Sequence, residues 1–322
     1  MPRRHTERIT SPAATTVGRI TTTGRRLPGE GGLTEVLQLL VNGLAAGCIY
    51  GLIALGFVLI YKATEMVNFA QGDLLMLGAF AAYTYIGLFG LPYWLGFILA
   101  VLSMAIFGFT LDAVVLRRVI GQPQFAVVIL TIGLGFIFRS AATLIWGPDI
   151  RTLGTPFSNS ISQFGPIVIP DVNLSIIGGT LAISGVMYGF FRYTKLGVAM
   201  QAASQNQLAA YYMGIPVRLV FSLIWAISAG VATVAGILLA PVSLIDPSTG
   251  FIAIRAFSAA VLGGFTSLPG AVLGGLIIGV IEQFSALYLD EGFKDVAAPV
   301  VALIVLAVYP QGLLGQRQRK RV

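Results

Sequence analysis

The chain has 322 residues, of which 56% are hydrophobic and only 10% are charged. Soluble domains carry about a quarter charged residues, and several apolar runs here exceed the roughly 18 residues that indicate a membrane span. This composition excludes a soluble enzyme built around one core. Cys48 is the only cysteine and His5 the only histidine, which excludes a disulfide scaffold and a Cys/His metal site. The sequence predicts an all-α polytopic membrane protein that needs no cofactor.

The formal net charge of +7 comes from the two ends of the chain. Residues 1–32 carry six arginines against two glutamates, residues 317–322 carry four basic side chains, and residues 33–316 have a net charge of −1. Basic charge confined to the tails is typical of membrane orientation or of contact with anionic lipid. Membrane lipid is therefore an expected partner, and nucleic acid is not.

Residues 1–32 are rich in Arg, Thr, Ser and Gly and contain no apolar run long enough to bury. We predict a disordered basic tail, with a targeting segment as the alternative. Residues 33–316 are expected to form a single transmembrane domain, followed by a basic cytoplasmic tail at 317–322.

Nine apolar runs follow the N-terminal tail. Only helices and closed barrels satisfy the backbone in lipid, and these runs are continuously apolar rather than alternating, so we predict a bundle of about eight to ten transmembrane helices. The runs lie near 37–61, 74–90, 94–116, 125–146, 172–191, 219–240, 252–266, 271–289 and 296–310.

The basic residues between the runs predict the orientation. Alternate loops and the C-terminal tail share most of them, whereas the opposite loops hold only Arg151 and Lys294. We therefore expect the C-terminus and the first group of loops to be cytoplasmic. The basic residues of these loops are Lys62, Arg117, Arg118, Arg192, Lys195 and Arg218.

Nine spans with a cytoplasmic C-terminus would place the arginine-rich N-terminus outside, against the same rule. Either one element before Arg117 is not a full span, or the first 32 residues are not a native part of the protein. The segment 62–90 is the suspected element, because its polar residues Asn68, Gln71 and Asp73 suit a broken or re-entrant stretch.

Glycines at four-residue spacing indicate tight helix packing, because small residues let helix backbones approach closely in lipid. Such stripes indicate a dense bundle more often than a pore lining. The predicted packing glycines are Gly43, Gly47, Gly51, Gly263, Gly264, Gly270, Gly274, Gly275 and Gly279.

Polar residues inside the apolar runs are candidates for a translocation pathway, because a buried charge in a membrane faces a partner or a water-filled path. Arg139 and Glu282 lie well inside their runs, and each is either a structural ion-pair anchor or a pathway residue. Asp112 is expected to pair with Arg117 or to face the membrane interface. The predicted pathway residues are Asn68, Gln71, Asp73 and Glu282.

The longest cytoplasmic loop, residues 192–218, is compatible with short helices that either dock into another protein or merely connect two spans. Within it, TKLGVAMQAASQNQLAAYYMGI (Thr194–Ile215) resembles the cytoplasmic loop of permeases from branched-chain amino acid ABC importers. Two further blocks match the same family, as does PQGLLG near the C-terminus. They are Asn42–Ala79 and Ala256–Leu289, and the shorter, "H"-type permease is the closer match.

This resemblance implies a permease that pairs with a second, homologous permease to form the path for leucine, isoleucine and valine. It also implies two cytoplasmic ATP-binding subunits, a periplasmic or lipid-anchored solute-binding protein, and a place in the bacterial inner membrane. The chain has no Walker-type GxxxxGK[ST] motif, so it is not expected to be an enzyme. The family loop would be the ATPase-coupling element, here Gly197, Ala199, Gln201, Ala202, Asn206, Ala209 and Gly214, with glutamine at 201 where the family has arginine.

Three alternatives remain at this point. Related ABC permeases carry urea, short amides or other amino acids. A stand-alone channel or carrier would keep the packing glycines and need no ATPase. An intramembrane enzyme is disfavoured, because no catalytic dyad or metal cluster is apparent.

Overall fold

The computed structural model describes residues 32–119, 122–157, 160–164, 167–289 and 292–315. The expected tails at 1–32 and 317–322 lie outside these residues, except that Gly32 begins the first helix. The elements are α1 (Gly32–Thr64), α2 (Gln71–Ala82), α3 (Tyr93–Val114), α4 (Gln124–Trp146), β1 (Ile161–Phe164), β2 (Ile167–Pro170), α5 (Asp171–Tyr193), α6 (Lys195–Gln205), α7 (Gln207–Tyr212), α8 (Val217–Ser243), α9 (Ala253–Gly263), α10 (Leu268–Tyr288) and α11 (Phe293–Val308). The two strands pair antiparallel, with Ile161 opposite Pro170.

All nine predicted apolar runs form helices, which confirms the all-α membrane fold. Among the described residues, six helices are long and apolar enough to cross a membrane: α1, α3, α4, α5, α8 and α10. The remaining three runs form α2, α9 and α11, which have only 12, 11 and 16 residues. A π-helical turn at Tyr83–Leu88 extends α2.

Four of the long helices begin directly after a proline. Proline has no backbone N–H and a fixed φ, so it is well tolerated where a helix starts and poorly tolerated inside one. Helices α3, α4, α5 and α8 follow Pro92, Pro123, Pro170 and Pro216. These prolines set the helix starts without a side-chain cap.

The two ends of the bundle differ in charge. At one end, here called the basic end, Arg117 at the end of α3 donates a 2.7 Å hydrogen bond to Ser222 Oγ near the start of α8. At the opposite end, here called the hairpin end, Gln38 of α1 donates to the carbonyl of Val168 in the β1–β2 hairpin at 3.1 Å. The basic end gathers the loop residues assigned above to one side, namely Lys62, Arg117, Arg118, Arg192, Lys195 and Arg218.

The segment between α1 and α3 crosses the bundle although part of it is irregular. Helix α1 runs from the hairpin end to the basic end, where it finishes at Thr64, and α3 also finishes at the basic end. Residues 65–92 must therefore return to the hairpin end, with α2 beginning only at Gln71. The segment 62–90 is broken, as suspected. It nevertheless crosses the bundle, so the alternative in which an element before Arg117 fails to span is wrong.

Helices α1–α4 and α8–α11 form two halves with the same order of elements: a long helix, an irregular break, a short helix and two further helices. Helix α1 packs on α9 and α10, and α8 packs correspondingly on α2 and α3. Asn173 of α5 bonds to Asn42 near the start of α1, whereas Gly179 lies against Leu238 near the end of α8. Helices α1 and α8 therefore run in opposite directions, and the second half is an inverted counterpart of the first.

Helices α1 and α10 meet backbone to backbone along a seam of glycines. Gly43 and Gly47 of α1 face Gly275 and Gly279 of α10, and a Cβ added to Gly275 would overlap the backbone of Gly51. The other glycines of the predicted set lie at the tight contact between α9 and α10 or in the turn that joins them. They are Gly263, Gly264, Gly270 and Gly274.

The seam predicts that Gly275→Ala lowers the stability of the membrane domain by about 3 kcal/mol or more, because backbone atoms cannot move aside as side chains do. Thermal unfolding of the detergent-solubilised chain, followed by size-exclusion chromatography, measures the effect. Gly185→Ala is the matched control, since a Cβ at Gly185 of α5 meets nothing within 4 Å. Equal melting midpoints for the two variants would contradict a rigid seam.

Candidate functional site

The break between α1 and α2 is closed by buried polar side chains. Asn68 Oδ1 accepts a 3.0 Å hydrogen bond from the N–H of Ala70, and Asn68 Nδ2 donates to Gln71 Oε1 at 3.2 Å. The hydroxyl of Ser228 on α8 lies 3.2 Å from Gln71 Oε1 and 3.1 Å from the carbonyl of Gly56. Two predicted pathway residues, Asn68 and Gln71, thus lie together, and the Asn68 side chain satisfies one backbone N–H of the break.

A second break precedes α9. Ile245 and Arg151 form an isolated antiparallel bridge, and the N–H of Asp246 donates to Thr249 Oγ1 at 3.0 Å. A 3₁₀ turn at Thr249–Ile252 then leads into α9. Within that turn, the carbonyl of Gly250 packs so closely against Gly72 of α2 that a Cβ there would overlap it. The two breaks therefore meet inside the bundle.

A buried ion pair lies where the breaks meet. Arg139 of α4 donates from Nε to Asp73 Oδ1 at 2.6 Å and from Nη2 to Oδ2 at 3.4 Å. Asp73 is only 1% exposed, and Phe251 stacks on the guanidinium with its ring centroid 4.0 Å from Arg139 Cζ. Gly135 and Gly250 approach the carboxylate, where side chains would clash with it. This packing holds the pair in one geometry.

The ion pair borders a cavity of about 290 Å³ between α2, α4 and α9. Asp73 and Arg139 supply all of its charged lining, and the other side chains are apolar. Because a charge is costly inside a membrane, a charged wall on an apolar cavity is typical of a functional site. The remaining lining residues are Phe57, Phe69, Ile132, Phe136, Gly250, Phe251, Ala253, Ile254 and Phe257.

A second charged cluster surrounds Arg255 in the first turn of α9. Its Nη1 lies 3.2 Å from Glu282 Oε1 and 3.3 Å from the hydroxyl of Tyr50, and its Nη2 bonds to Asp295 of α11. Glu282 is 1% exposed, and its Oε2 has no hydrogen-bond partner in the described part of the chain. Glu282 therefore depends on Arg255 for compensation of its charge.

A cavity of about 380 Å³ adjoins this second cluster at the hairpin end. Unlike the cavity beside Asp73, it has several polar walls from α1, α5, α8 and α10. The two cavities lie on different sides of the start of α9, one lined by Phe251 and the other by Arg255. Its polar lining residues are Asn42, Tyr50, Asn173, Ser243, Arg255, Glu282, Gln283 and Lys294.

Glu282 is one of the predicted pathway residues, but its partner Arg255 was not predicted. Arg255 lies inside the apolar run 252–266, so the reasoning applied to Arg139 would also have found it. The structure does not bring all four predicted pathway residues into one place. Asp73 lies near Asn68 and Gln71, whereas Glu282 belongs to the separate cluster around Arg255.

Asp112 pairs with Arg117 at the basic end, which is one of the two arrangements expected for it. Ser222 Oγ donates to Asp112 Oδ2 at 2.7 Å and accepts from Arg117, whose Nη2 lies 3.8 Å from the same carboxylate. Asp112 thus fixes the end of α3 to the start of α8.

The loop 192–218 folds into α6 and α7, each with a side-chain cap at its start. Thr194 Oγ1 accepts from the N–H of Gly197, and Asn206 Oδ1 accepts from the N–H of Ala209. Gln201 donates to the carbonyl of Phe191 at the end of α5, at 2.9 Å. The side-chain amide of Gln201 therefore already has a hydrogen-bond partner within this chain.

Helix α7 presents an apolar face to solvent, here called the α7 face, which comprises Leu208, Tyr211, Tyr212 and Met213. Among the predicted coupling residues, Gly197 is buried, and Ala199, Gln201 and Ala202 are partly buried. The last three, Asn206, Ala209 and Gly214, are exposed. The predicted coupling set therefore reaches from the interior of the bundle to its surface.

A cavity of about 770 Å³ opens at the basic end between α1, α5, α6 and α10. Lys62 and Arg192 line it together with Gln201, and most of its remaining wall is apolar. Since α6 forms part of this wall, any displacement of α6 changes the shape of the cavity.

The Arg255 cluster predicts that Arg255→Met destabilises the protein by about 3–5 kcal/mol, because it leaves Glu282 buried without a cation. The double variant Arg255→Met/Glu282→Leu should recover most of that loss. Arg118→Met is the control, since Arg118 is exposed and forms no salt bridge with any described residue, and exposed charges contribute about 0–1 kcal/mol. Thermal unfolding compares the three; a double variant less stable than Arg255→Met would contradict the interpretation.

Comparisons with known proteins agree on one family. The family model described as "Branched-chain amino acid transport system / permease component" matches residues 39–309. The chain is 32% identical to the high-affinity branched-chain amino acid transport permease LivH of Salmonella typhimurium and to that of Escherichia coli K12, over 89% of this chain and 97% of either relative. It is 33% identical to BraD of Pseudomonas aeruginosa, over 89% of this chain and 98% of BraD.

Among solved structures, PsaBC from Streptococcus pneumoniae in complex with Fab aligns with 87% of this chain and 97% of its own, at 16% identity and a TM-score of 0.48. The family model covers most of the chain, and each of the relatives LivH and BraD aligns with this chain over nearly its own full length. The protein is therefore a transport component rather than an enzyme, and the chain belongs to the family of branched-chain amino acid transport system permeases.

Proposed function

We propose that the chain is the permease subunit of an ATP-driven ABC importer that carries leucine, isoleucine and valine across the bacterial inner membrane into the cytoplasm. The similarity to LivH and BraD over almost their full length carries this proposal. The charged side chains that line the two cavities support it, because a solute path through lipid needs such groups.

The basic end is the cytoplasmic end, and with it the C-terminus. This follows from the excess of Lys and Arg there, because positively charged loops are retained on the cytoplasmic side. The hairpin end then faces the periplasm, where a solute-binding protein delivers its cargo. Residues 33–316 act as one transmembrane domain.

Two cytoplasmic ATP-binding subunits supply the energy, and the α6–α7 segment is the element that meets them. The α7 face supports this assignment, because an exposed apolar helix face fits a groove on a partner protein. The amide of Gln201 is engaged with Phe191, so docking here depends on apolar shape and less on a charged contact.

A second, homologous permease completes the path. Asp73 and the cavity beside it, and Glu282 and the polar cavity near the hairpin end, are the parts of that path in this subunit. When ATP closes the ATPase pair, α6 moves against α5 and the cavity at the basic end changes. A ligand-driven cycle of this kind needs two bundle conformations that ATP stabilises unequally.

Affinity purification of the tagged chain from solubilised membranes tests the assembly. We expect two Walker-containing ATPases and a second permease to co-purify, and the complex to import leucine when ATP and its binding protein are present. A chain that purifies alone as a homo-oligomer and moves solute in liposomes without ATP would instead identify a channel or carrier. Import of urea or an amide but not leucine would reassign the substrate.

The α7 face predicts that Leu208→Asp/Tyr212→Asp lowers leucine uptake by at least about tenfold, because charges replace the apolar contact with the ATPase. Co-purified ATPase should fall in parallel while the chain stays in the membrane. Tyr309→Asp is the control, because Tyr309 is 61% exposed and also lies near the basic end. Uptake equal to that of the control would remove the coupling role from α7.

A further inference from the structure

Arg139 lines the cavity, and one of its guanidinium nitrogens has no hydrogen-bond partner among the described residues. Its Nε and Nη2 bond to Asp73, while Nη1 donates no hydrogen bond to any residue that the structure describes. The arginine side chain is 24% exposed, in contrast to the 2% exposure of its partner. Guanidinium groups bind carboxylates well, because their N–H donors are fixed in one plane and remain charged at any physiological pH.

The guanidinium is also held in position before any ligand arrives. Asp73 fixes one edge, and Phe251 covers one face of the group. A donor that is already oriented loses little conformational entropy when it binds, which favours recognition at a defined point. Asp73 is therefore a positioning residue for Arg139.

The rest of the cavity matches a short branched hydrocarbon. Ile132, Phe136, Ile254 and Phe257 line the space beside the guanidinium, and among the described residues no charged group besides the ion pair lines it. A volume of about 290 Å³ accommodates one small amino acid. Apolar walls favour an aliphatic side chain over a polar one of similar size, because burial removes apolar surface from water.

We infer that this cavity is a site in the membrane domain that binds the amino acid in transit, with Arg139 Nη1 binding its carboxylate and the apolar walls contacting its side chain. The ammonium group on the adjacent carbon balances the negative charge that the carboxylate adds beside Asp73. This inference rests on the proposed function and deepens it, since it names the residue that recognises the carboxylate.

A purely structural ion pair and a binding site respond differently to neutralisation of both partners. In Asp73→Asn/Arg139→Gln no unpaired charge remains, so a structural role predicts near-normal transport by the assembled complex. The binding role predicts that leucine moved per ATP hydrolysed falls at least tenfold, while ATP hydrolysis in the presence of the loaded binding protein continues. The measurement uses the co-purified importer in proteoliposomes with radiolabelled leucine.

A second pair of variants leaves the ion pair untouched. Ile254 lines the cavity and is 58% exposed, so Ile254→Trp fills the space without disturbing a packed core. We expect it to reduce leucine uptake at least fivefold and valine uptake less, because valine is smaller. Ile137→Trp is the control on α4, since Ile137 is 61% exposed and does not line the cavity.

The outcomes separate the two proposals. Normal leucine import by both the double variant and Ile254→Trp would overturn the site while leaving the importer intact. A wild-type complex that imports no branched-chain amino acid would overturn the proposed function itself. If the double variant does not assemble, the leucine-to-valine ratio of Ile254→Trp against Ile137→Trp decides, and an unchanged ratio rejects the site.

Discussion

Backbone N–H and C=O groups inside a lipid bilayer have no water to bond to, so any irregular segment there must bring its own partners. The break at 65–70 meets this requirement with the side-chain oxygens of Thr64, Asn68 and Thr131. They accept hydrogen bonds from the backbone N–H groups of Met66, Ala70 and Phe69, respectively. The break at 244–252 uses Asp246 and Thr249. Because these bonds close the gaps, α2 and α9 can start inside the bundle, and their first turns carry Asp73 and Arg255.

Each charged cluster includes a residue from the first turn of a short helix, Asp73 of α2 in one half and Arg255 of α9 in the other. Each half contributes one short helix whose first turns meet the other half. Asp73 on α2 bonds to Arg139 of α4 beside the second break, and Arg255 on α9 bonds to Tyr50 of α1. Inverted repeats of this kind occur in many transporters, where alternating access moves one repeat against the other. The glycine seam between α1 and α10 argues against sliding at that contact.

Much of the fold could be predicted from the sequence, because continuous apolar length is a local property. The nine apolar runs indicated the observed helices, and the family blocks supported them. The basic residues indicated which loops share one end of the bundle. The number of long helices could not be predicted, since the break before Gln71 depends on Thr131 of α4, which accepts from the N–H of Phe69, 62 positions away. The hairpin at 161–170 was also missed, because the segment was expected to be a loop.

For the candidate site, single polar residues could be selected but their pairing could not. Arg139 and Asp73 are 66 positions apart, and no spacing rule connects them. Arg255 was overlooked although it obeys the same rule as Arg139. The capping residues Thr194 and Asn206 were readable in principle, because each lies directly before a helix-compatible stretch.

Helix α4, which contributes Arg139 to the buried ion pair, also carries a tryptophan that contacts α2. Trp146, two turns after Arg139, stacks on Phe80 of α2 with ring centroids 5.0 Å apart and donates its indole N–H to Thr84 at 2.8 Å. An indole hydrogen bond and ring stacking both set the wavelength and intensity of tryptophan emission. Any separation of α4 from α2 breaks both contacts together. The fluorescence of Trp146 therefore reports on the same two helices that the Asp73–Arg139 ion pair joins.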